Sequence, residues 1–221
     1  MKFTTKLTAV AVALTGAIGG AQATSLTLNL PTTSVDTAGY TFFTGTQVDS
    51  ATTLLNNPSF NGTARTAVYR TEAGTLDFYY QFSNNLSSAN GVERFTGYNF
   101  SALGTGPVDV FQTSIASTNG FFVAGTENSD NADRTGFGVI GFSFIPNAQS
   151  KINPGTTSFT QLIHTNARSY VAGNFGLIDG YADNAAGFAV AAVPEPETYA
   201  MLLAGLGLMG FVARRRKENQ S

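Results

Sequence analysis

Residues 75–83 read Thr75-Leu76-Asp77-Phe78-Tyr79-Tyr80-Gln81-Phe82-Ser83, and their alternation decides the fold class. Leu76, Phe78, Tyr80 and Phe82 fall on one side of an extended chain, with Asp77, Tyr79 and Gln81 on the other. Side chains of a strand point alternately to its two faces, so this period of two predicts a half-buried β-strand. Residues 66–71 (TAVYRT) precede it, and Glu72-Ala73-Gly74 makes a tight connection in which Gly74 is free to take a positive φ. The two runs together predict a β-hairpin.

Working outward, further strands are predicted at 91–101, 108–112, 120–124, 136–145, 157–165, 168–172 and 175–179, with 186–193 as the last. Residues 136–145 (GFGVIGFSFI) place apolar groups on both faces, the mark of an interior strand. Turn signals fall between these runs at Asn61-Gly62, Asn90-Gly91, Asn119-Gly120, Asn153-Pro154-Gly155 and Asp179-Gly180. No stretch among them carries a helical apolar period. Many short strands at this spacing predict an all-β domain over residues 24–192, an antiparallel β-sandwich or jelly-roll-like fold.

Composition sets limits on function. Of 221 residues, 43% are hydrophobic, enough for one core, and only 12% are charged. Thr, Ser, Asn and Gly make up the polar remainder, a surface with weak defence against self-association. Between residues 24 and 193 stand six Lys or Arg (Arg65, Arg70, Arg94, Arg134, Lys151, Arg168) against eleven Asp or Glu, a net charge of −5. Phosphate contacts need clustered cations, so a nucleic-acid partner is not expected. The absence of cysteine excludes disulfides, thiolate nucleophiles and cysteine-held metals.

Both ends carry apolar segments flanked by charge. At the front, Lys2 and Lys6 precede an apolar run at 7–18, then Gly19-Gly20 and Ala21-Gln22-Ala23. Small residues at Ala21 and Ala23 place a cut between Ala23 and Thr24, so residues 1–23 are expected to be a signal peptide removed by signal peptidase after Sec-type export. The apolar run is too short for the ~20 residues of a spanning helix. At the back, Pro194-Glu195-Pro196 leads into an uncharged stretch at 199–213 and then Arg214, Arg215, Arg216 and Lys217. A helix over 199–213 would be roughly 22 Å long at ~1.5 Å per residue, a marginal transmembrane span against a ~30 Å hydrocarbon core. The basic cluster would stay cytoplasmic and stop transfer.

This order, a Pro-Glu-Pro motif followed by a short apolar helix and a terminal basic cluster, resembles the PEP-CTERM sorting signal over residues 193–217. The resemblance implies an exosortase-like membrane enzyme as partner, transient residence in the inner membrane, and delivery to the cell surface or extracellular matrix. It also implies a link to exopolysaccharide and biofilm. Residues 68–82 and 162–179 further resemble bodies found on such cargo, a family with no established activity.

The body offers few residues for chemistry. The only histidine is His164, and no G-x-S-x-G elbow accompanies it, so no catalytic residue is assigned and no enzyme is expected. Neither a metal nor a cofactor is assigned, because zinc needs three or four ligands from a pool without cysteine. Carboxylate pairs at Glu72/Asp77 and Asp179/Asp183 leave a small secreted hydrolase as one alternative. Oxygen-rich loops at 127–133 and around Asp179, Asp183 and Asn184 leave calcium open. Tyr40, Phe42, Phe43, Tyr79, Tyr98, Tyr170 and Tyr181 are candidate stacking platforms for an extracellular polysaccharide. Exposed strand edges would make a self-assembling structural protein. The expectation is a non-enzymatic exported surface or matrix protein.

Overall fold

The computed structural model describes residues 24–32, 34–97, 99–105, 108–136, 138–145, 151–192 and 201–209. Eleven strands form within them: β1 (Thr24–Ser25), β2 (Thr46–Asn56), β3 (Asn61–Arg70), β4 (Leu76–Asn84), β5 (Arg94–Gly97), β6 (Asp109–Thr113), β7 (Asn131–Arg134), β8 (Ile140–Ser143), β9 (Thr160–His164), β10 (Tyr170–Asp179) and β11 (Tyr181–Val190). They build two antiparallel sheets, ordered β1-β6-β9-β4-β3-β2 and β11-β10-β5-β8-β7. The all-β expectation holds, and the opening stretch lies near the centre of the first sheet, paired with β3 on one side and β9 on the other.

One core joins the sheets. Leu76, Phe78, Tyr80 and Phe82 of β4 meet Phe95, Phe142, Phe175 and Leu177 of the second sheet in a single buried cluster. Phe175 packs on Phe95 with ring centroids 4.8 Å apart and on Tyr80, across the core, at 5.1 Å. The Tyr80 hydroxyl donates to the carbonyl of Phe188 at 3.1 Å, so the buried phenol has a partner.

The predicted hairpin forms. The Thr71 amide donates to the Thr75 carbonyl at 2.9 Å, and Gly74 closes the turn at φ +78°. The half-buried reading of β4 needs correction, because both its faces are covered. Asp77 and Tyr79 have no exposure at all. A second apolar cluster of Ala67, Tyr69, Tyr79, Phe111, Phe122 and Leu162 lies on the outer face, with Tyr40, Phe42, Phe43 and Phe121 packed against it. Residues 37–45 and 114–125 cross this face. Phe43 stacks on Tyr79 at 5.0 Å and on Phe122 at 5.5 Å, and its amide donates to the Tyr79 hydroxyl at 3.0 Å. Gln81 holds the second crossing by accepting from the Val123 amide at 3.0 Å and donating to its carbonyl at 2.7 Å.

Other boundaries shift for local reasons. Residues 120–124 are not a strand but part of that outer cover, their polar groups met by Ser117, Asn119 and Gln81. The run predicted at 91–101 shortens to β5, since Phe100 turns into a 3-10 turn at Ser101–Leu103. The runs at 168–172 and 175–179 merge into β10. Strand β2 has no expected counterpart: its alternation is written in Ala51, Thr53 and Leu55, and a register shift between Gln47 and Asp49 breaks the period.

Hydrogen bonds reach both sides of the sandwich. The Thr53 hydroxyl of β2 accepts from the Ala186 amide of β11 at 3.1 Å, and Thr66 of β3 donates to the Ala186 carbonyl at 3.0 Å. These bonds tie one sheet to the other along that side. Opposite, the amides of Asn29 and Thr32 donate to the carbonyls of Arg134 and Ala132 on β7, each at 2.7 Å. Unpaired edges are the usual template for strand addition; the β7 edge is met by backbone bonds from within, whereas β2 and β11 are joined only through a side-chain hydroxyl.

Candidate functional site

A cleft of about 650 Å³ opens on the outer face of the first sheet, beside the β3–β4 turn. Strand register builds its floor. Asp77 of β4 and Asp109 of β6 both pair with His164 of β9, so one imidazole stands between two carboxylates. Asp77 is wholly buried, whereas the His164 side chain keeps 32% exposure and lines the cleft. His164 Nδ1 donates to Asp77 Oδ1 at 2.7 Å, and the Tyr40 hydroxyl donates to Asp77 Oδ2 at 2.5 Å. Both oxygens of the buried carboxylate are therefore engaged, which a carboxylate removed from water requires.

The same contacts govern protonation. The hydrogen bond to Asp77 raises the His164 pKa above its ordinary value; burial opposes this, and the charges of Asp77 and Asp109 reinforce it. Burial, then the bond to Asp77, drives the Tyr40 hydroxyl far above the usual phenol range, so Tyr40 stays a neutral donor. A basic group with a raised folded pKa adds stability that is complete below its unfolded value of about 6.5 and is lost as pH rises through the folded value. The thermal midpoint of the protein is thus expected to fall on going from pH 6 toward pH 9 by more than that of His164→Gln. Parallel profiles for the two proteins would refute a raised His164 pKa.

The structure gives each residue that the sequence had grouped its own surroundings. Asp77 is buried, while Glu72 is exposed on the adjoining turn at the cleft rim. Asp179 accepts from the Ser59 hydroxyl at 2.6 Å with Lys151 4.0 Å away, and Asp183 accepts from the Asn57 amide at 3.2 Å. The oxygen-rich loop at 127–133 is in part strand β7, where Asp133 pairs with Arg94 at 2.6 Å. Among the described residues, no three His, Cys, Asp or Glu side chains gather where they could hold a metal. Of the candidate stacking platforms, Tyr79 is buried, Tyr40, Phe42 and Phe43 sit in the outer cluster, Tyr181 is 55% exposed, and Tyr98 lies outside the described residues. The sequence missed the Asp77–His164–Asp109 row, which comes from pairing three distant strands. Its one local signal was a charged residue on a strand otherwise rich in aromatics.

The second candidate site is the tail. Residues 201–209 are helical, and all nine are exposed, including Met201 at 74%, Leu203 at 68% and Leu208 at 68%. No helix among the described residues is long and apolar enough to cross a membrane. Pro194, Glu195, Pro196, Arg214, Arg215, Arg216 and Lys217 lie outside the described residues, as do Ala21 and Ala23. Thr24 opens β1 and donates its hydroxyl to Asp36 at 2.7 Å. Residues 192–217 match the family model of the PEP-CTERM protein-sorting motif. The chain carries a PEP-CTERM sorting signal. That PEP-CTERM signal makes it an export substrate sorted by exosortase, a membrane enzyme. Among curated proteins and among solved structures, none matches the chain.

Proposed function

We propose that this PEP-CTERM protein is a non-enzymatic surface or matrix protein. It loses residues 1–23 on Sec-type export, rests in the inner membrane through its tail helix, and is released outward when exosortase removes the tail. One observation carries the reading. An apolar helix exposed on every face has no burial in the two-sheet body, so burial in lipid or in a membrane enzyme supplies what the fold does not. The proposed destination of the body is a matrix containing exopolysaccharide or biofilm material. The site chemistry favours binding over turnover: the buried carboxylate of Asp77 is held at both oxygens, and the nearby threonine hydroxyls of Thr71, Thr75 and Thr165 are engaged in the fold. The backbone bonds along β7 weigh against strand addition at that edge.

Fractionation of cells with and without exosortase tests the proposal, with the C-terminus mapped by mass spectrometry. With the enzyme, the body is expected outside the cell and truncated near Pro194-Glu195-Pro196. Without it, the intact tail is expected in the membrane fraction. An intact chain in the cytosol of both strains would overturn the proposal.

A further inference from the structure

We propose that the cleft beside His164 binds a neutral polyhydroxylated ligand, a saccharide unit. The inference rests on reading the body as a non-catalytic binding module, and it follows from which polar groups the fold leaves unspent. Thr44 donates to the Thr41 carbonyl, Thr71 and Thr75 bond to one another, and Thr165 donates to the Leu76 carbonyl, so these hydroxyls serve the turns around the cleft. Asp77 serves His164 and Tyr40. Among the described residues, the lining groups that have neither a hydrogen bond nor an ion pair are the carboxylates of Glu72 and Asp109, the hydroxyl of Thr41 and the side-chain amide of Asn166. To these His164 adds Nε2, the ring nitrogen not held by Asp77.

Each class of ligand can be weighed against that set. A phosphate or carboxylate would meet two carboxylates, and among the described residues no Lys or Arg lines the cleft. Arg70 stands nearby, but its Nη1 donates to the carbonyls of Gly74 and Arg168. It also shares the inward strand parity of Val68 rather than the outward parity of Tyr69. A wholly apolar ligand would strip water from Glu72 and Asp109 without replacing its hydrogen bonds. Vicinal hydroxyls fit the set. They donate to the carboxylates, which only accept, and to Nε2 of the neutral His164 ring, and they accept from the Asn166 amide. The buried Asp77 bond fixes the imidazole so that Nε2, an acceptor in the neutral ring, is oriented before the ligand arrives. Tyr40, braced by Phe111 with ring centroids 4.8 Å apart, supplies a rigid aromatic wall for the apolar face of a sugar ring.

Titration of the full-length protein in detergent micelles, followed by calorimetry and ligand-observed NMR, tests this with glucose, galactose, mannose, glucosamine and putrescine. At least one neutral sugar is expected to bind, and Asp109→Asn and exposed Glu72→Gln are each expected to weaken that binding tenfold or more, Glu72→Gln with an unchanged thermal midpoint. Asp183→Asn, on another part of the fold, should leave it unchanged. No sugar binding, or binding indifferent to both cleft variants, overturns the proposal. So does tighter binding of putrescine than of any neutral sugar, which would reassign the cleft to a cation. Sugar binding accompanied by cleavage of an oligosaccharide would uphold the site and overturn the non-catalytic reading instead.

Discussion

Phe175→Ala is expected to lower the free energy of unfolding by about 3–5 kcal/mol, the usual cost of emptying a phenylalanine site in a packed core. Phe175 is wholly buried in β10, with Phe95 against one edge and Tyr80 reaching it from the facing sheet. Its removal takes away apolar burial and also the ring contact that bridges the two sheets. Neighbouring residues have little freedom to fill the gap. Gly97, its cross-strand partner in β5, adds no side chain, and a Cβ built there would already approach the Phe100 ring to 3.0 Å. Since small proteins hold only ~5–15 kcal/mol in total, the variant should sit near the edge of stability. Urea unfolding with unchanged m-value is the measurement, and Leu54→Ala is its control: Leu54 is 80% exposed, and its loss should cost no more than ~0.5 kcal/mol. A loss for Phe175→Ala as small as that of the control would mean that the ring does not bridge the sheets.

The same strands explain how far the sequence could be read. Leu76, Phe78, Tyr80 and Phe82 announce an inward face because large apolar groups recur at a period of two, and that signal is local. What lies over Asp77, Tyr79 and Gln81 is not local. Its cover comes from residues 37–45 and 114–125, brought there by tertiary folding, so a strand read as half-exposed proves to be sealed on both sides. Strand β2 escaped notice because Thr and Ala mark its inward positions and a bulge near Val48 interrupts the period. The cleft was illegible for a similar reason. Asp77, Asp109 and His164 are far apart in the chain and become neighbours only through the register of β4, β9 and β6. The tail was the reverse case: its signal is contiguous, from Pro194 to Lys217, and needs no tertiary information to be read.

Paired substitution of Leu203→Arg and Leu206→Arg is expected to abolish membrane retention of the unprocessed chain while leaving the thermal midpoint of the body unchanged. Both leucines are exposed, at 68% and 53%, so no core contact is lost. In lipid the balance is different. Each arginine near the centre of a spanning helix costs ~2.5–3.5 kcal/mol on insertion scales, or about 5–7 kcal/mol for the pair. At ~1.4 kcal/mol per factor of ten, that shifts membrane partition by roughly four orders of magnitude. The native tail has little margin to absorb it, because an apolar stretch of roughly 22 Å already falls short of a ~30 Å hydrocarbon core. In cells lacking exosortase, the substituted chain should therefore leave the membrane fraction while the native chain stays. A midpoint lowered by several degrees would instead place the helix within the fold, and the same leucines would then be packing residues rather than an anchor.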